Sequence, residues 1–68
     1  MRGYLVAETD ASGKVEWVWV RHKGQRLARP VDRSAFQVSD IRGFEVHGAS
    51  ELAVRNWLER DQTAPSQR

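Results

Sequence analysis

Val15-Glu16-Trp17-Val18-Trp19-Val20-Arg21-His22-Lys23-Gly24-Gln25-Arg26 is the stretch that decides the fold: an aromatic, β-branched run that leads directly into a basic turn. Trp and Val suit a pleated, half-buried backbone, and Lys23-Gly24 is a turn signal because glycine takes positive φ at little steric cost. The segment therefore predicts one strand over Val15–Arg21, a turn at Lys23-Gly24 and a short return strand over Gln25–Ala28. Upstream, Tyr4–Glu8 reads as the strand that pairs with it. Asp10-Ala11-Ser12-Gly13 forms the connecting loop, with Gly13 at the left-handed position that closes such hairpins.

Downstream, Pro30 cannot donate a ladder hydrogen bond, so the third strand lies at an edge or stops there. Asp32-Arg33-Ser34 continues the break. Phe36–Val38 and Ile41–His47 read as further extended pieces, with Gly43 marking a bulge or bend. The last element is helical. Ser50 is suited to cap it, Glu51 favours the positive end of its dipole, and Leu52–Arg60 holds helix formers without Pro or Gly. Ala53, Val54, Trp57 and Leu58 share one stripe, and Leu52 lies off it. The expected fold is thus α+β: a small antiparallel sheet of three to five strands followed by one C-terminal amphipathic helix over about Ser50–Asp61. An SH3-like small barrel with a C-terminal helix is the alternative. Residues 1–61 form one domain, and residues 62–68 read as a flexible tail.

The chain has 68 residues, of which 11 are Lys or Arg and 9 are Asp or Glu, giving a formal charge of +2. At this size about 60% of the unfolded surface is buried on folding, so the core is small and self-association is a common remedy. A homodimer is expected, through the second sheet face or an edge strand, with Leu52 as a secondary contact. The absence of Cys excludes disulfides and thiolate metal sites. No apolar run approaches the ~20 residues of a membrane span, and the N-terminus lacks a signal-peptide core, so a cytoplasmic setting without membrane contact is expected.

Pairing Val6 with Trp17, Tyr4 with Trp19 and Arg21 with Arg26 puts Tyr4, Val6, Trp17, Trp19, Arg21 and Arg26 on one sheet face. Leu5, Ala7, Val18, Val20 and Leu27 then take the other. One helix covers only one of these faces. In the commoner type of packing, Trp57 and the helix lie on Trp17 and Trp19, and the aromatics are core. In the other, the helix covers the Leu/Val face and leaves the Trp/Arg face as a binding platform. A third arrangement buries the leftover face between two subunits.

The charge imbalance is local: Arg21, Lys23, Arg26, Arg29 and Arg33 lie in a stretch whose one acid is Asp32. Such a patch suits nucleic acid or an acidic protein surface. His22 and His47 have no neighbouring ligand pattern, so no metal or cofactor is expected. Glu8 and Glu16 are placed near each other across the first hairpin but mark no acid–base pair. Ser34 and Ser39 lack a nucleophile's setting, Gly43 and Gly48 lack a phosphate-cradling spacing, and a chain this short leaves little room for a pocket of several hundred Å³. No small-molecule substrate and no enzymatic activity are expected.

The order sheet-then-helix, with Trp-x-Trp-Val-Arg-x-x-Gly in the sheet and Ser-Glu-Leu-Ala-x-x-x-Trp-Leu in the helix, resembles the three-stranded-sheet-plus-helix DNA-binding modules of phage integrases. The resemblance covers about residues 15–60 and implies a sheet that enters the major groove. It departs from that pattern in the extra segment between Pro30 and Gly43. The same outline is similar to small phage-encoded inhibitors that block a host protein. The expected function is accordingly a small non-catalytic binding protein associated with nucleic acid. Arg21, Lys23, Arg26 and Arg29 would supply phosphate contacts, and Trp17 or Trp19 would stack on bases. The alternative is a phage- or mobile-element-encoded inhibitor or adaptor, using the same residues as interface anchors on a protein.

Overall fold

The computed structural model describes residues 2–63, with side chains through Arg60. Four strands, a 3-10 helix and one α-helix follow in the order β1 (Gly3–Thr9), β2 (Val15–His22), β3 (Arg29–Pro30), 3-10 helix (Val38–Ile41), β4 (Phe44–His47) and α1 (Glu51–Thr63). The sheet order is β3-β2-β1-β4. The chain is thus α+β, with its strands before the C-terminal helix. The sheet is mixed rather than wholly antiparallel, because β4 returns alongside β1 in the parallel sense.

The β1–β2 ladder differs from the expected one by two residues. Tyr4 pairs with Arg21, Val6 with Trp19 and Glu8 with Trp17, and the ladder then skips Glu16 so that Thr9 meets Val15. Lys14 belongs to the turn: its carbonyl accepts from Asp10 N at 2.9 Å, and its own N–H donates to Asp10 Oδ1 at 3.0 Å. That carboxylate also accepts from the Ser12 backbone N–H and hydroxyl, at 2.9 and 2.6 Å. A slip of two preserves side-chain parity, so the expected division of β1 and β2 into faces stands although their pairing partners change. Glu16, expected near Glu8, is instead the extra residue of a β-bulge. The bulge turns Val15 onto the same side as Val18 and Val20, where it is buried.

The second hairpin is looser than expected. Gln25 N donates to His22 O at 3.0 Å to close a turn, but no strand follows over residues 25–28, and pairing resumes only where Arg29 and Pro30 meet Val20 and Trp19. Arg26 therefore does not face Arg21, a like-charge contact that would have been unfavourable. Leu27, assigned to the core face by a tight hairpin, is 77% exposed. Val31 takes the core position instead, buried and held by its N–H to Val18 O at 2.8 Å. Beyond it, the residues expected to be extended over 36–38 and 41–43 give way to the 3-10 helix and a turn. Asp40 fixes the start of that helix by accepting from Gln37 N at 2.9 Å.

Ser50 caps α1 through its hydroxyl, which accepts from Ala53 N at 3.1 Å. The expected end at Asp61 extends to Thr63; the remaining tail lies outside the described residues. Val54, Trp57 and Leu58 are buried from the helix side, and Leu5, Ala7, Val15, Val18 and Val20 from the sheet side, with Val31, Ile41 and Phe44 completing the core. The helix thus covers the Leu/Val face. The aromatic-core packing, in which Trp57 rests on Trp17 and Trp19, is not what forms. The bulge explains the choice. It leaves the Glu16 carbonyl outside the ladder, and the Trp57 indole N–H donates to it at 3.1 Å, while Arg60 Nη2 reaches Val15 O at 3.4 Å. A Trp buried against the Leu/Val face finds a hydrogen-bond acceptor there. Gly48 seats the chain leaving β4: its φ is +87°, and a Cβ would collide with the Ala7 carbonyl oxygen. No helix among the described residues is long and apolar enough to cross a membrane.

Candidate interaction face

The sheet face turned away from α1 is assembled by register alone. β2 contributes Trp17, Trp19 and Arg21, β1 contributes Tyr4, Val6 and Glu8, and β4 adds Glu45 and His47, which lie beside Tyr4 and Val6. Trp17 is 57% exposed and Val6 37%, while Tyr4, Trp19 and Arg21 are half-buried.

Its polar groups are tied into a network. The Trp19 indole N–H donates to Glu8 Oε2 at 2.9 Å, which fixes the ring's orientation. Arg21 Nε donates to the Tyr4 hydroxyl at 3.1 Å, and its Nη1 donates to Gln25 O at 3.0 Å. The same guanidinium lies 5.0 Å from the centre of the Tyr4 ring, within cation–π range. Tyr4 in turn meets His47 edge-on at 5.9 Å, and His47 Nε2 lies 3.4 Å from Glu45 Oε2. The face is therefore pre-organised, with aromatic and apolar surface at its centre and hydrogen-bonded Glu8 and Arg21 and the Glu45–His47 pair around it.

The expected site residues do not all gather here. Trp17, Trp19 and Arg21 share the open face. Lys23 and Arg26 are exposed on the segment between β2 and β3, with no ion pair among the described residues. Arg29 pairs with Val20 and so sits on the helix side of the sheet. There it lines a groove of about 490 Å³, together with Arg2, His22, Phe36, Phe44 and Asp40. The groove corrects the expectation that the chain lacks room for a pocket of this size. Asp32 also reaches this groove, so its two arginines are matched by two carboxylates, and it favours no ligand charge. Arg33, the last of the basic run, stacks its guanidinium 3.6 Å from the centre of the buried Trp57 ring.

Glu8, Glu45 and His47 are the members of the face that sequence reasoning missed. Glu8 had a usable signal, since it shares strand parity with Tyr4 and Val6. Glu45 and His47 had none, because their placement depends on β4 docking in parallel onto β1. Among the described residues, no three His, Asp or Glu side chains gather as metal ligands. No protein-family model, no curated protein and no solved structure matches this chain.

Proposed function

We propose that this chain is a non-catalytic binding protein that docks a protein partner on the open face of its sheet. The observation that carries this reading is the exposure of Trp17 and Val6 beside the pre-ordered Tyr4, Trp19 and Arg21. Aromatic residues and Arg are the side chains that dominate protein interfaces, and those already held in place lose little conformational freedom on binding. Charge favours protein over nucleic acid. Arg21 shares the face with two carboxylates, Glu8 and Glu45, and a phosphate backbone laid across them would be repelled. The partner fitted to this face carries apolar groups for Trp17 and Val6 and hydrogen-bonding groups of both kinds for the rim. The setting consistent with a cysteine-free chain is the cytoplasm, where the protein acts as a homodimer that blocks or bridges its target.

A nucleic-acid role rests on a different observation, the exposed Lys23, Arg26 and Arg29. If all three contact phosphates, log affinity falls with log salt at a slope of about −2.7, so a rise from ~50 to ~200 mM salt weakens binding roughly 40-fold. The two roles separate in one experiment. The chain and its Trp17→Ala variant are used as bait in nuclease-treated lysate, and labelled duplex and single-stranded DNA and RNA are titrated in parallel at both salt concentrations. Capture of one dominant polypeptide by the unaltered chain, lost with Trp17→Ala, supports the proposal. Salt-steep nucleic-acid binding that is weakened by Arg26→Ala and indifferent to Trp17→Ala overturns it.

A further inference from the structure

The two edges of the sheet are unlike. β3 is two residues long and ends on Pro30, which has no N–H to offer, so that edge is blunted. β4 runs four residues, Phe44-Glu45-Val46-His47, and pairs on one side only, with β1. Among the described residues no backbone group of β4 bonds to any other part of the chain. The helix packs chiefly on β2 and the 3-10 helix. A row of unpaired N–H and C=O groups is a template for another strand.

We propose that β4 pairs antiparallel with β4 of a second copy of this chain, about a twofold axis that sets Val46 opposite the partner subunit's Val46. The register follows from the side chains. Residues directly opposite in an antiparallel pair lie on the same face and interact most strongly. Centring the pair on Glu45 sets two carboxylates against each other. Centring it on His47 opposes two imidazoles and leaves Val46 against Gly48, which has no side chain to pack. Centring it on Val46 sets Glu45 against the partner's His47 twice over, carboxylate against an imidazole N–H. It also packs the two half-buried Val46 side chains together on the helix side. Within each copy Glu45 and His47 are already adjacent, at 3.4 Å, so at the seam each Glu45 carboxylate lies between two imidazoles, one from its own chain and one from the partner subunit. Both open faces then merge into one continuous platform, a twofold, isologous surface.

This inference rests on the homodimer named above and specifies how it forms. The chain has no Cys, so a single introduced thiol reports one contact. Glu45→Cys and His47→Cys chains are mixed in equal amounts and mildly oxidised. The mixed pair keeps one Glu–His contact and places its thiols opposite each other, so mixed disulfides exceed the half that random pairing gives. In sedimentation equilibrium, Glu45→Lys removes two equivalent contacts at once and raises the dissociation constant roughly 2- to 30-fold. The exchange Glu45→His with His47→Glu restores it. Predominant disulfides between two Glu45→Cys chains or two His47→Cys chains, or a dimer indifferent to Glu45→Lys, overturn the β4 pairing and leave the homodimer standing. A mass that stays near 7.8 kDa at high micromolar concentration overturns both.

Discussion

Replacing Trp57 by Phe separates the tryptophan that holds this fold together from the two that face outward. Trp57 is 2% exposed, donates to the Glu16 carbonyl at the bulge, and lies under the Arg33 guanidinium. Phe keeps an aromatic ring in the core but has no N–H. The lost hydrogen bond costs about 1 kcal/mol, towards the low end for a buried partner because exposed Glu16 can rehydrate its carbonyl. The smaller ring leaves roughly 1–2 kcal/mol of burial unmade, at ~25 cal/mol per Å² with a residual void. Phe retains part of the cation–π attraction, so that contact adds only a few tenths. The total is about 2–3 kcal/mol, against a stability of roughly 3–10 kcal/mol for a domain of this length. Urea unfolding followed by far-UV circular dichroism measures it, with Trp17→Phe as the control. The control should lose less than about 0.5 kcal/mol of unfolding free energy, because Trp17 is mostly in solvent. Equal losses for the two variants, or a Trp57→Phe protein as stable as the parent, would refute the assignment of helix to the Leu/Val face.

Gly48→Ala should destabilise by more than ~2 kcal/mol, since it combines a left-handed backbone with a collision against Ala7. Gly13→Ala, with the same backbone constraint but open space around it, should lose only about 1 kcal/mol; paired denaturation curves test the difference. Asp10 and Asp32 accept hydrogen bonds foremost from the Ser12 and Ser34 hydroxyls, with backbone N–H groups adding to these, and both pKa values fall below the ordinary 3.8. A lowered folded-state pKa gives stability that is present above pH 3.8 and is lost as pH falls through the folded value. Thermal midpoints measured from pH 5 down to pH 2 should therefore drop below about pH 4, and less so in an Asp10→Asn, Asp32→Asn chain. Arg33→Ala should cost about 0.5–2 kcal/mol by uncovering the Trp57 ring, and should leave any nucleic-acid affinity unchanged within twofold; melting curves and a DNA titration check the two halves.

Periodicity carried the regular elements of the fold. The β1 and β2 alternation, the Ser50 cap and the Val54/Trp57/Leu58 stripe each state their role within a few residues of sequence, and these elements form with ends within two residues of expectation. The failures share one cause, competition between distant segments for the same place. Leu27 and Val31 are both apolar, and local pattern favours Leu27 after Lys23-Gly24. Val31 wins because its N–H reaches Val18 O while its side chain fills the core, a contact no window around residue 24 contains. The bulge at Glu16 is similarly invisible. Its benefit appears only when the Trp57 indole, 41 positions away, arrives to bond the released carbonyl.

The basic run shows most clearly why sequence proximity is a poor guide to a site. Arg21, Lys23, Arg26, Arg29 and Arg33 read as one cationic patch, but strand alternation and the wandering 25–35 segment send them to different places. Arg21 turns onto the open face, where Tyr4 and Gln25 hold it. Arg29 crosses to the groove on the helix side, and Arg33 lies over Trp57. Lys23 and Arg26 remain on the connecting segment, apart from exposed Arg29 at its groove, and cations so dispersed give a phosphate polymer no continuous track. The acids move the other way, since Glu8 and Glu45, far apart in sequence, arrive on the same sheet face as Arg21, Glu8 opposite Trp17 and Glu45 beside Tyr4. A face that began as a candidate phosphate platform becomes one with both signs of charge around exposed Trp17 and Val6, and this redistribution, more than any single residue, turns the balance toward a protein partner.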